Sequence, residues 1–366
     1  MNARKNMKSD WAVPPGRTIS DILNERCISI DNFSKSTGLS VFQARQLLLG
    51  NLAISNELAS VLEETLGSTK SFWLKREKQY KEDIVRRDEI IKETEKWYQE
   101  LPVNDMVKFG WITPSRNHKE KKKKCLDYFE VTNAIDWYRK YERLHFSTAF
   151  KISNSFESKA ESIITWLRQG SIISNRIKCA PFNSVLFQEK LKSIRALTRE
   201  KEPTIFLPAL TKICAACGVA VVVVPTPSRC SASAATFFTS RAKATLLLSF
   251  RYLSEDHFWF SFFHESGHIV LHDRELVFLE GVDKENSVQE EEADDFAVNM
   301  LIPEEYKAEM LSFRSKDWRR IIRFAKKLGI SPGIVVGQLQ HHGLVPHNRL
   351  NKLKVRYKWS DIVQLK

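Results

Sequence analysis

At 366 residues, with 43% hydrophobic and 28% charged side chains, the chain is long enough for two or three domains with ordinary cores. Its 57 Lys+Arg against 44 Asp+Glu give a formal net charge of +13, which favours an acidic partner such as nucleic acid, although a merely soluble basic protein has the same balance. No apolar run approaches the ~18 residues of a membrane span. Residues 1–17 lack the apolar stretch of a signal peptide, and six cysteines over this length make no secreted disulfide framework. The expectation is a cytoplasmic protein with reduced thiols and no membrane contact.

The first 80 residues read as short helices. "RTISDILNERC" is amphipathic, and "SIDNFSKSTGLSVFQARQLLLGN" reads as helix, tight turn at Gly38, helix, with Ser40 as N-cap of the second. "SNELASVLEETLG" follows, with Ser55 as cap and Gly67 as stop. Two helices joined through a glycine turn and flanked by others are the pattern of a helix-turn-helix, whose second helix enters the major groove N-terminus first. Its leading residues are Ser40, Val41, Phe42, Gln43 and Arg45. Gln43 suits an adenine edge, Arg45 a guanine or a phosphate, and Phe42 a thymine methyl or the interior. Double-stranded DNA is the expected partner; a helical bundle used for protein contacts is the alternative.

Residues 70–101 form one long charged helix pattern, suited to bracing the first domain or pairing with a second copy in a homodimer. "NHKEKKKKC" marks a solvated boundary or an exposed helix face. The region 81–200 reads as a helical connector without catalytic signature. From about 201 the pattern changes: a helix ends at Gly218, "VAVVVVP", "SASAATFFT" and "ATLLLSFRY" read as strands, and "RELVFLEGVDKENS" reads as a loop between two further helices. The fold class is therefore α+β and mostly helical: domains 1–80, 81–200 and 201–366. Cys214 and Cys217 form a lone C-x-x-C without a second pair, so they read as core cysteines.

The stretch "HFWFSFFHESGHIVLHD" carries the chemistry. On a helix, His257, Ser261, His264, His268 and His272 fall within about 80° of one another, backed by Trp259, Phe262, Phe263, Ile269 and Val270. Within that stripe, H-E-x-x-H sets His264 and His268 one turn apart, able to reach one tetrahedral zinc, with Glu265 beside the open position as general base toward water. A third ligand histidine in the extended pattern would fall at 274, which is Arg, and its glycine at 271, which is Leu. His272 is a possible ligand, but reads better as a neighbour bonding a ligand, or as a core histidine. The acidic helix "QEEEADDFA" is the better source of the third ligand: Glu290 is preferred and Glu291 second, with Glu292 on the solvent side and Asp294 placed to fix a histidine tautomer. A closed structural zinc site usually has four ligands, often cysteine, and no cysteine lies near this helix.

"HFWFSFFHESGHIVLH" followed by "EEEADDFAVNMLIP" resembles the ImmA/IrrE family of metallo-endopeptidases. "VPPGRTISDILNERCISIDNFSKSTGLS" with "GNLAISNELASVLEETLGSTKSFWL" resembles HigA-type antitoxins and XRE-type helix-turn-helix domains. The tail "AKKLGISPGIVVGQLQHHGLVPHNRLNKLKVRYKW" is similar to the end of longer members that join both parts. The resemblance implies a zincin-like fold, zinc held by His264, His268 and a glutamate of the acidic helix, and Glu265 as base. It implies cleavage of a regulatory protein in a stress or mobile-element response. The alternative it implies is an antitoxin-like autorepressor whose zincin domain is a non-catalytic sensor or partner-binding module. One departure is Ala234, in a strand where relatives often carry glycine; if that strand lines the cleft, the added methyl narrows it. The last 66 residues hold 14 Lys+Arg against 5 Asp+Glu, and "WRRIIRFAKK" and "NRLNKLKVRYKW" interleave basic and aromatic residues, as a phosphate-binding surface or a solvated face would. His341 and His342 are candidates for oxyanion stabilisation.

Overall fold

A computed structural model describes residues 12–142, 159–274, 277–280 and 288–363. The chain divides into two compact units, one of residues 1–97 with 133–135, the other of residues 98–132 with 136–366. The region 81–200 is shared between these two units, with the long charged helix beginning in the first and residues 160–176 packing on the sheet of the second.

In the first unit, α1 (Pro15–Glu25), α2 (Ile30–Thr37), α3 (Val41–Leu49) and α4 (Asn56–Leu66) precede the long α5 (Lys70–Glu100). Local chemistry sets the boundaries. Ser29 Oγ caps α2 through Asn32 N, and Gly38, at φ 71°, makes the left-handed turn that a β-carbon disfavours. Ser40 then opens α3, and Ser55 Oγ caps α4 through Leu58 N. Ile19, Leu23, Phe33, Ala44, Leu47, Leu62, Leu66 and Trp73 close a core of their own.

The second unit contains α6 (Val103–Lys108), α7 (His118–Phe129), α8 (Ala134–Lys140, which begins in the first unit), α9 (Ala160–Arg176), α10 (Ser184–Ile194) and α11 (Pro203–Ala215). Strands β1 (Val219–Val223), β2 (Ala234–Ser240) and β3 (Lys243–Leu248) follow, then α12 (Glu255–Leu271), β4 (Phe278–Glu280) and α13 (Val288–Leu301). The chain continues through α14 (Glu304–Leu311), α15 (Trp318–Leu328), α16 (Pro332–His341) and α17 (Trp359–Val363).

The sheet order is β1-β3-β2-β4. β3 runs parallel to β1 and antiparallel to β2, and β4 is antiparallel to β2. β4 falls where the sequence suggests a loop. Alternation distributes the side chains: Val219, Val221, Ala234, Leu246 and Leu248 face α12, while Val222, Ala235, Leu247 and Leu279 meet Ile163, Trp166 and Leu167 of α9. The sheet is therefore covered on both faces, and β2 lies between β3 and β4. Ala234 pairs with Leu248 and Glu280 and is fully buried, so its methyl packs in the sheet core and does not stand at an open edge. Cys214 and Cys217 are free thiols in the same core.

Candidate metal centre

α12 is buried on nearly every side, which is why its sequence is apolar around most of its circumference. Trp259, Phe262 and Phe263 are completely buried, and side chains of this kind each contribute roughly 1.5–3 kcal/mol when removed from water. They fix the helix rigidly, leaving its other stripe to the titratable residues. The acidic first turn, Glu255 and Asp256, suits the positive end of the helix dipole. These two carboxylates also receive the C-terminal segment. Glu255 accepts from Ser331 Oγ at 2.9 Å and from Val355 N at 3.0 Å. Asp256 pairs with Lys354 Nζ at 2.5 Å, and that ammonium also donates to Gln340 Oε1 at 2.6 Å. Lys354 is thus a buried anchor and no part of a solvated basic face.

α13 crosses α12 at small residues. A β-carbon on Gly267 would come within 3.2 Å of Ala293 Cα and of Phe296 Cβ, so glycine is what permits this approach. Ala293 and Ala297 are fully buried at the seam. The approach carries Glu290 to the histidines: its carboxylate oxygens lie 3.2 Å from His264 Nε2 and 3.5 Å from His268 Nε2. The two Nε2 atoms are 3.0 Å apart. One donor atom from each of His264, His268 and Glu290 falls within 4.8 Å of the other two.

The outer nitrogens are engaged as well. His264 Nδ1 lies 2.7 Å from Asp294 Oδ1. His268 Nδ1 lies 2.9 Å from His272 Nδ1, and His272 Nε2 lies 3.0 Å from Glu292 Oε2. These partners assign the tautomers. His264 Nδ1–H donates to Asp294, His268 Nδ1–H donates to His272, and His272 Nε2–H donates to Glu292. With a metal bound, both Nε2 lone pairs would converge on one point; without it, His264 Nε2–H faces Glu290. Glu292, expected on the solvent side, is exposed but fastens His272. Glu291 is exposed and bonds neither histidine among the described residues. Without a metal, burial opposes charge on His264, but its bonds to Asp294 and Glu290 outweigh burial and raise its pKa. Burial works against ionised Glu290 too, and the two histidines hold it well below the usual carboxylate range.

Glu265 has no solvent exposure, and among the described residues neither of its carboxylate oxygens has a partner within hydrogen-bond geometry, the Thr236 hydroxyl nearby donating instead to the Glu265 backbone carbonyl. Burial first, then the negative charges of Glu280 and Glu290, push its pKa up to about 8 against the attraction of His264. A buried carboxylate left unbonded beside two converging imidazoles and a third carboxylate fits a divalent metal with a water at its open position. Two histidines and one glutamate are a donor set of catalytic zinc sites.

Two residues of β4 complete the surroundings. Phe278 stacks on the His268 ring at 3.9 Å and 15°. Glu280, two residues on and so on the same strand face, brings a buried carboxyl into the field of His264 and Glu265. The short apolar run "VFL", β-branched and aromatic and closed by Gly281, is the only local signal that could have suggested this strand.

The remaining candidates lie elsewhere. His341 and His342 are exposed at the end of α16 and make no hydrogen bond to the centre among the described residues, so the oxyanion role has no geometric support. In the first unit, Ser40 and Gln43 form a reciprocal capping box: Ser40 N donates to Gln43 Oε1 at 2.9 Å and Gln43 N to Ser40 Oγ at 3.2 Å. The carboxamide oxygen of Gln43 is therefore used within the helix cap. Arg45 is exposed with no ion-pair partner among the described residues, and Phe42 projects outward at 70% exposure.

Residues 218–339 match the Peptidase_M78 family model, described as an IrrE N-terminal-like domain. That span runs from the start of β1 into α16 and includes His264, Glu265, His268 and Glu290. The matched part of the second unit is therefore similar to a metallopeptidase-like IrrE/ImmA domain. No curated protein matches the chain.

Proposed function

We propose that the chain is a zinc-dependent metallo-endopeptidase joined to a DNA-binding helix-turn-helix domain, and that it cuts a regulatory protein. The observation that carries the peptidase reading is Glu265: fully buried, with both carboxylate oxygens lacking a hydrogen-bond partner among the described residues, and set beside the convergent nitrogens of His264 and His268. His264, His268 and Glu290 would hold the metal, and zinc there supplies Lewis-acid activation of water and of the scissile carbonyl. Glu265 takes the proton from the attacking water and returns it to the leaving amine. Asp294 and His272 keep the two imidazoles in the tautomer that presents Nε2 inward. The apolar wall of α12 and the Phe278 ring limit solvent around these groups, which strengthens each electrostatic contact. The DNA reading rests on the capped α2–Gly38–α3 arrangement and on exposed Arg45.

The test compares new protein N-termini in host cells carrying the wild type or Glu265→Gln, under DNA damage and other stresses, alongside metal content of both purified proteins. A cut seen only with the wild type supports the peptidase and identifies its target. Equal metal content with no difference in N-termini under any stress would move the reading to a DNA-binding autorepressor with a non-catalytic zincin domain.

A further inference from the structure

α15 has two unlike faces. Ile321, Phe324, Ala325 and Leu328 are buried in the main core. The opposite face, with the turn before it, carries Lys316, Arg319, Arg320, Arg323, Lys326 and Lys327, all exposed. Among the described residues, only Arg320 and Lys327 of these meet an acid, Asp317 at 3.6 Å and Glu309 at 3.3 Å. Arg319, Arg323 and Lys326, at i, i+4 and i+7, form a stripe with no ion-pair partner among the described residues. Trp318 stands at one end, 44% exposed, with the Arg319 guanidinium 4.9 Å from its ring centre.

We propose that this stripe is a second nucleic-acid contact, seated on the peptidase unit, that grips the phosphates of duplex DNA. It requires neither the peptidase reading nor base recognition by α3. Unneutralised cations aligned along a rigid helix have their complement in a regular line of negative charge, and duplex DNA carries one charge per ~1.7 Å of axis. Guanidinium groups suit phosphate because their fork matches its oxygens. The face lacks the buried apolar centre that anchors a protein partner. It cannot sink into a bilayer, since its apolar side is already in the core. A single exposed aromatic is too little for the stacking platform that single strands need.

The experiment measures fluorescence anisotropy of a short mixed-sequence duplex with the full chain over a range of salt. The variants are wild type, Arg45→Ala, and the triple Arg319→Ala/Arg323→Ala/Lys326→Ala, with circular dichroism to verify folding. The triple change should lower the log–log salt slope by about 2.7, the release expected from three phosphate contacts. It should weaken binding by roughly tenfold or more near 0.1 M salt, in both the wild-type and Arg45→Ala backgrounds. Replacing Arg319 and Arg323 by lysine should retain the slope. An unchanged slope in the triple variant overturns the proposal. So does absence of duplex binding by the wild type, or a loss confined to single-stranded RNA or to phosphatidylglycerol vesicles.

Discussion

Asp294 Oδ1 stands 2.7 Å from His264 Nδ1, on the far side of the imidazole from Glu290. The ring is thereby gripped at both nitrogens, and its orientation is set before any metal arrives. Asp294→Ala should lower zinc affinity about 10- to 100-fold, the usual consequence of removing such a support. Chelator competition reads this directly. Glu292→Ala acts one bond further out, through His272, and should cost less. Equal affinities of wild type and Asp294→Ala would remove the tautomer argument.

Glu290→Ala should abolish stoichiometric zinc binding, whereas Glu291→Ala should leave it unchanged, because Glu290 lies near both Nε2 atoms and Glu291 meets neither among the described residues. Metal content after dialysis distinguishes the two. Similar retention by both variants would show that the third ligand lies elsewhere.

Glu265→Gln should retain zinc and lose peptide cleavage. It also has a signature without metal. Glu265 has a folded-state pKa of about 8 against an ordinary 4.5, so the folded state holds this proton more tightly than the unfolded one. Its contribution to stability is fully present below pH 4.5 and is lost as pH rises toward 8. Metal-free Glu265→Gln should therefore exceed the metal-free wild type by a few kcal/mol above pH 8, with the gap closing toward pH 4.5. Denaturant titrations at several pH values measure the gap, and a constant difference would contradict the assigned burial.

Gly267→Val should push α13 from α12, since even a β-carbon there meets the α13 backbone and Phe296 at 3.2 Å. Overpacking of this kind costs about 1–3 kcal/mol. Zinc affinity should fall together with melting temperature although no ligand has changed. Gly267→Ala should show a smaller version of both effects.

Lys354→Met should destabilise the second unit by ~3–5 kcal/mol, because it strands the buried Asp256 carboxylate. Adding Asp256→Leu should recover much of the loss. The pair also adds acid sensitivity. Burial alone would raise the Asp256 pKa, but Lys354 and Ser254 hold it lowered, so its contribution is present above the ordinary 3.8 and disappears as pH falls below it. Thermal melts of the single and double variants test both statements.

The sequence made some features legible because they depend on local chemistry. The serine caps at 40 and 55 and the turn at Gly38 follow from short-range hydrogen bonding, and the histidine stripe from helical period. Other features depended on partners distant in the chain. β4 was hidden because three residues carry little periodic signal, and only pairing with β2 makes them a strand. Glu280 and Phe278 were missed with it. Lys354 reads as one more surface lysine until the tail meets α12. Gln43 reads as free until its carboxamide is found closing the cap. Nor could a helix wheel assign Glu292 to His272, since the solvent side of α13 is where the relay from His268 ends.

The sheet is held unevenly. β2 and β3 share six paired positions, β1 and β3 five, and β2 and β4 three. β4 therefore has the shortest ladder in the sheet, while Phe278 on it covers a face of His268. Amide exchange should be slow in β3 and fast in β4, with the strand detaching in events far smaller than global unfolding. If exchange follows the pairing, the wall beside the histidines should open before the rest of the sheet; uniform protection across β3 and β4 would show instead that Phe278 is held as firmly as the helix it covers.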